Sequence, residues 1–109
     1  MALIEREAKI VNPLGLHARP AAEFVKLANQ FRAAIEVRKD DLAVNGKSIM
    51  GVMMLAAECG SSLVITADGD DAEQAMAALL ALVADGFHEM DLTAERREAA
   101  DREESTGPS

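Results

Sequence analysis

Cysteine is almost missing from this chain: Cys59 stands alone among 109 residues. No internal disulfide can form, and the expectation is a reducing cytoplasm with Cys59 as a semi-buried structural thiol. Long apolar runs are missing too. The longest, such as Ala75 to Ala84, falls short of the roughly 20 residues that span a bilayer. The start, Met1-Ala2-Leu3-Ile4-Glu5-Arg6-Glu7, turns charged too soon for a secretory signal. Excess positive charge is absent as well: 11 Lys and Arg against 19 Asp and Glu leave a net charge of −8. That balance argues against nucleic acid or an anionic membrane as partner. Two histidines and one cysteine, far apart in sequence, do not suggest a structural zinc site.

What is present is a chain that is 50% hydrophobic, enough for one compact domain with a modest core. Its acidity is uneven. Residues 1–87 hold 12 acidic and 8 basic residues, and residues 88–109 hold 7 and 3, so each part carries a net −4. The expected organisation is a folded domain over 1–88 and an acidic, partly disordered extension over 89–109, rich in helix formers but without an apolar stripe.

Periodicity gives the elements. Leu3 to Val11 reads as a strand with Ile4, Ala8 and Ile10 on one face, followed by an Asn12-Pro13-Leu14-Gly15 turn. The helix after His17 carries Ala21, Phe24, Val25, Ala28 and Phe31 at helical spacing. Ala33 to Lys39 and Leu42 to Val44 read as strands about an Asp40-Asp41 turn, and Asn45-Gly46 breaks the second. A short helix over Ser48 to Ala57 and a strand over Ser61 to Ala67 follow. Asp70 with Glu73, or Asp71 with Gln74, resembles a capping box for a last helix. That helix turns Ala72, Ala75, Met76, Leu79, Leu80 and Val83 inward and stops at Gly86. The order predicts an α+β fold: one antiparallel sheet of four strands with three helices on one face.

Two segments carry chemistry. In Gly15-Leu16-His17-Ala18-Arg19-Pro20-Ala21-Ala22, a histidine sits where a helix begins, with an arginine beside it and no acidic residue among the eight. Proline suits a first helical turn, the remaining N–H groups there lack intrahelical partners, and the helix dipole is positive at that end. The result is an anion site with a nucleophilic imidazole at its rim and a guanidinium fork alongside. A phosphoryl group taken up by the imidazole adds about two negative charges near neutral pH, which this setting accommodates. His17 and Arg19 thus read as a phosphohistidine site.

The second segment is Gly46-Lys47-Ser48-Ile49-Met50-Gly51-Val52-Met53-Met54-Leu55. Ser48 is a natural N-cap. If Val52 and Leu55 face inward, some of Ile49, Met50, Met53 and Met54 must lie in water, the composition of an adaptable docking patch. A phosphate on Ser48, with Lys47 as the adjacent cation, would bring charge beside that patch. His88 reads as a surface histidine.

With both segments in view, the sequence resembles the HPr family of phosphocarriers from about Leu3 to Phe87. The resemblance also draws on the Ile65-Thr66-Ala67-Asp68-Gly69 turn and implies an open-faced β-sandwich. It implies that His17 accepts a phosphoryl group on Nδ1 from phosphorylated enzyme I and passes it to a histidine of an enzyme IIA component. Arg19 and the amides near Ala18 and Arg19 would steady that group. The chain would act as a carrier rather than an enzyme, as a monomer, without cofactor or metal. Ser48 matches a position phosphorylated by HPr kinase/phosphorylase in many members, and Ala18, Pro20, Lys47, Ile49, Met50 and Met53 would meet partners. An alternative is a regulatory interaction module governed mainly by Ser48. Two departures stand out: Ala18 replaces a threonine of some members, and the acidic extension runs past the usual end of the family.

Overall fold

The computed structural model describes residues 2–88; the acidic extension expected over 89–109 lies outside them. Four strands and three helices follow in the order β1 (Ala2–Lys9), α1 (Ala18–Ala28), β2 (Ala34–Lys39), β3 (Leu42–Asn45), α2 (Ile49–Met54), β4 (Ser62–Gly69) and α3 (Ala72–Ala84). A 3₁₀ turn over Gly86–His88 closes the described chain. The sheet order is β1-β4-β2-β3, with every neighbouring pair antiparallel. β4 therefore inserts between β1 and β2, which run parallel to each other on either side of it.

Alternation within the strands decides which face is covered. Ile35 and Val37 of β2 and Leu63, Ile65 and Ala67 of β4 are buried, as are Ala8 of β1 and Ile10 just beyond it. They meet Ala21, Phe24, Val25 and Ala28 of α1 and Ala75, Met76, Leu79 and Val83 of α3 in one core. Burying each large apolar side chain contributes about 1.5–3 kcal/mol. The opposite side of the sheet, with Leu3, Glu36 and Arg38, is open to water.

Some expectations need correction. The second helix covers six residues, not ten: Ala56 adopts a left-handed φ of 47°, so Leu55 and Ala57 leave the helix yet stay buried. The capping box of α3 does not form. Asp71 is the N-cap, but its carboxylate accepts from the backbone N–H groups of Arg32 and Ala33, both at 2.8 Å, and so ties α3 to the start of β2. Leu82 is buried where Leu80 was expected, and Leu80 and Phe31 are half-buried. Cys59 is exposed rather than semi-buried, because it sits on the Glu58–Ser61 turn with only a long Sγ contact to the Val11 carbonyl at 3.7 Å. His88 is exposed, as expected, and its Nδ1 pairs with the Asp85 carboxylate.

Candidate functional site

His17 holds the N-cap position of α1 in extended conformation, φ −79° and ψ −172°, and its carbonyl accepts the Ala21 N–H at 3.0 Å. Its backbone therefore starts the helix, and its side chain makes no capping hydrogen bond to the first-turn amides. Ala18 and Arg19 supply those amides; Pro20 has none to give. No acidic residue lies in the first turn, and Ala18 and Arg19 are exposed. His17 is half-buried, and its Nε2 is enclosed by protein.

The loop that delivers His17 is fixed from below. Asn12 is fully buried, and its Nδ2 donates to the Gly15 carbonyl at 2.7 Å while its own carbonyl accepts the Gly15 N–H at 3.1 Å. Gly15 has φ 69°, and a Cβ there would lie 2.4 Å from the Ala57 carbonyl oxygen. That same oxygen accepts the Leu16 N–H at 2.8 Å. The chain just after α2 is thus bonded to the residue just before His17.

Ser48 caps α2 as expected: its Oγ accepts the Gly51 N–H at 3.1 Å and its carbonyl accepts the Val52 N–H at 3.0 Å. Val52 and Leu55 are buried, whereas Ile49, Met50, Met53 and Met54 are exposed, Met50 to 77% and Met54 to 66%. At i, i+4 spacing they form two rows on one helix face. α2 packs beside α1. The apolar patch and the histidine are therefore carried by adjacent, bonded segments.

Two residues expected at the partner surface have other roles in the fold. Pro20 is fully buried among the α1 core residues, so its ring shapes the helix start and is withdrawn from direct contact. Lys47 is half-buried, and its Nζ donates to the Phe31 carbonyl at 2.7 Å, in the loop between α1 and β2. Sequence reasoning missed Asn12, Ala57 and the exposed Leu14. An asparagine in an Asn-Pro turn gives no sign that it will be buried, and a carbonyl acceptor gives no sequence signal at all. Among the described residues no helix is long and apolar enough to cross a membrane.

Comparison with known proteins agrees with this geometry. The family model described as the HPr component phosphorylation site of the PTS matches residues 4–85. The phosphocarrier protein HPr of Cupriavidus necator is 46% identical over 87 residues, covering 80% of this chain and 98% of that relative. The crystal structure of HPr from Bacillus anthracis matches with a TM-score of 0.73 at 48% identity, covering 76% of this chain and 99% of the other. Crh of Bacillus subtilis, a catabolite-repression protein, matches with a TM-score of 0.63 at 38% identity over 76% of this chain and 95% of its own. With its histidine at a helix start, its open four-stranded sheet and relatives matched over nearly their whole length, this chain belongs to the HPr family, the phosphocarriers of the phosphotransferase system.

Proposed function

We propose that His17 is the phosphorylated residue, that phosphorylated enzyme I is the donor and that enzyme IIA components are the acceptors. The supporting observation is a histidine at the N-cap of α1, with exposed Ala18 and Arg19 next in the first turn and no acidic residue there, on a loop bonded to Asn12 and Ala57. The enclosed Nε2 favours Nδ1 as the nucleophile. In the forward step the Nδ1 lone pair of neutral His17 attacks phosphorus as the donor's nitrogen–phosphorus bond breaks, and the electron pair of that bond stays on the donor ring. In the onward step His17 becomes the leaving group in the same way. The amides of Ala18 and Arg19 and the α1 dipole stabilise the added charge by about 0.3–2 kcal/mol. That range is enough to favour the phosphorylated form without trapping it. Most of the barrier lowering falls to positioning within the complex with the partner.

Ile49, Met50 and Met53 would dock that partner beside the histidine, and Ala18 lies at the same rim. Ser48 is a candidate for regulatory phosphorylation by HPr kinase/phosphorylase: it opens α2 immediately before the apolar patch. The likeness to Crh favours this second reading, in which phosphate on Ser48 switches contacts to a regulatory partner. The proposal also takes the cytoplasm as the site of action and the monomer, of 11.6 kDa, as the working unit, although that Crh forms a domain-swapped dimer. Light scattering distinguishes the two states. Incubation with enzyme I and phosphoenolpyruvate tests the relay: an acid-labile phosphate should appear, and His17→Ala should abolish it.

A further inference from the structure

β1 is an edge strand of eight residues, with β4 as its one neighbour in the sheet among the described residues. Ile10, just beyond it, turns its N–H to Ser61 and its carbonyl to Gly60. Antiparallel alternation then points the N–H and carbonyl groups of Leu3, Glu5, Glu7 and Lys9 away from β4. All four residues are exposed, and the Glu5 carbonyl accepts from the Arg6 guanidinium at 2.8 Å. Two grooves lie beside this edge, between β1 and α3. One, of about 250 Å³, is lined by Ile4, Met76, Ala77 and Leu80 together with Arg6 and Glu73. The other, of about 330 Å³, is lined by Ala8, Val11, Leu80 and Val83, with Glu7 and Lys9 beside them. Leu80 belongs to both, and Ile4 and Ala8, one in each groove, share a face of the strand.

We propose that the β1 edge receives an extended segment of another protein as a fifth, antiparallel strand, seating apolar side chains in the two grooves and basic ones against Glu5 and Glu7. Main-chain bonds to the outward groups supply affinity, and the grooves and charges supply selection. Opposite charges directly across a strand pair attract, so basic residues suit the positions facing Glu5 and Glu7 and an acidic one suits that facing Lys9. The same pattern rejects a second copy. In a continuous sheet with matching faces, one of the two longest registers sets Glu5 against its own counterpart. The other sets Glu5 against Glu7 and Arg6 against its own counterpart, so the charges guard the edge against self-pairing. The far edge of the sheet is β3, and α2 packs against β3 and α1. A strand on β1 therefore leaves the apolar patch of α2 uncovered.

The test uses the full chain, labelled with ¹⁵N, and the heptapeptide Glu-Val-Lys-Thr-Lys-Val-Val, blocked at both ends. Paired antiparallel from Lys9 to Leu3, its lysines face Glu7 and Glu5 and two of its valines fall opposite Ala8 and Ile4. Saturable binding should shift the amides of β1 and α3 and leave those of α2 in place. Hydrogen exchange should slow at Glu5 and Glu7, whose N–H groups gain partners, and stay as it was at Arg6 and Ala8, which face β4. Replacing both lysines by glutamate should weaken binding about ten-fold, and Glu5→Lys combined with Glu7→Lys should transfer the preference to that acidic peptide. Absence of saturable binding, equal affinity for the two peptides, or shifts centred on α2 overturn the proposal. So does protection of the Glu5 and Glu7 amides without peptide, which assigns the edge to a second copy or to the chain itself; light scattering tells those two apart.

Discussion

The Leu16 N–H donates to the Ala57 carbonyl at 2.8 Å, and this bond joins the chain after α2 to the loop that presents His17. It exists because Gly15 has no Cβ: one placed there would lie 2.4 Å from the same oxygen. The first prediction follows. Gly15→Ala must force the two segments apart as well as strain a backbone at φ 69°, the latter alone costing of order 1–3 kcal/mol. Urea denaturation should report that loss, and phosphoryl acceptance should fall with it, because the imbalance is local to His17.

Ser48→Ala removes the bond to the Gly51 N–H and should lower stability by about 0.5–2 kcal/mol. Enzyme I-dependent phosphate uptake should stay within about two-fold, since phosphoryl chemistry is assigned to the other helix start and a helix cap is a local stability term. Thermal melts and transfer kinetics on the same sample separate the two effects.

Ile49→Glu and Met53→Glu act on exposed side chains of α2 and should leave stability within about 0.5 kcal/mol. Each should raise the KM of donor enzyme I five-fold or more, the scale of losing about 1 kcal/mol from a docking contact. A KM unchanged by both removes α2 from the interface.

The Arg32 N–H, and with it the Ala33 N–H, holds the Asp71 carboxyl below its ordinary range, because both donate to the ionised form. A depressed folded-state pKa means that the contribution is fully present above the ordinary carboxylate value and is lost as pH falls through the lowered one. Asp71→Ala should therefore melt at lower temperature than the parent at neutral pH, and the gap should close in strong acid. A gap that is constant with pH contradicts this role.

Much of this fold was legible because the strands alternate cleanly. Ile35/Val37 and Leu63/Ile65/Ala67 could face only one way, and the α1 stripe of Ala21, Phe24, Val25 and Ala28 could face only the same core. The placing of His17, Arg19 and Ser48 at helix starts was readable because it is local: residue type and pattern suffice to find a helix start. What escaped was long-range. Asp71 bonds across to Arg32 and Ala33, nearly forty positions away, where local capping logic pointed to its own helix. α2 ends early where the Ala57 carbonyl bonds Leu16, and Lys47 turns inward to donate to the Phe31 carbonyl, sixteen positions back in the chain. Pro20 was placed correctly in the first turn, but nothing in that turn's chemistry told that its ring faces the core.

Phosphorus NMR of the ¹⁵N-labelled chain, after exchange with enzyme I and phosphoenolpyruvate, tests the central claim most directly. The prediction is one phosphoramidate signal, coupled to the Nδ1 of His17 and lost on acidification. A signal from Nε2, from His88 or from a serine ester under those conditions would contradict it.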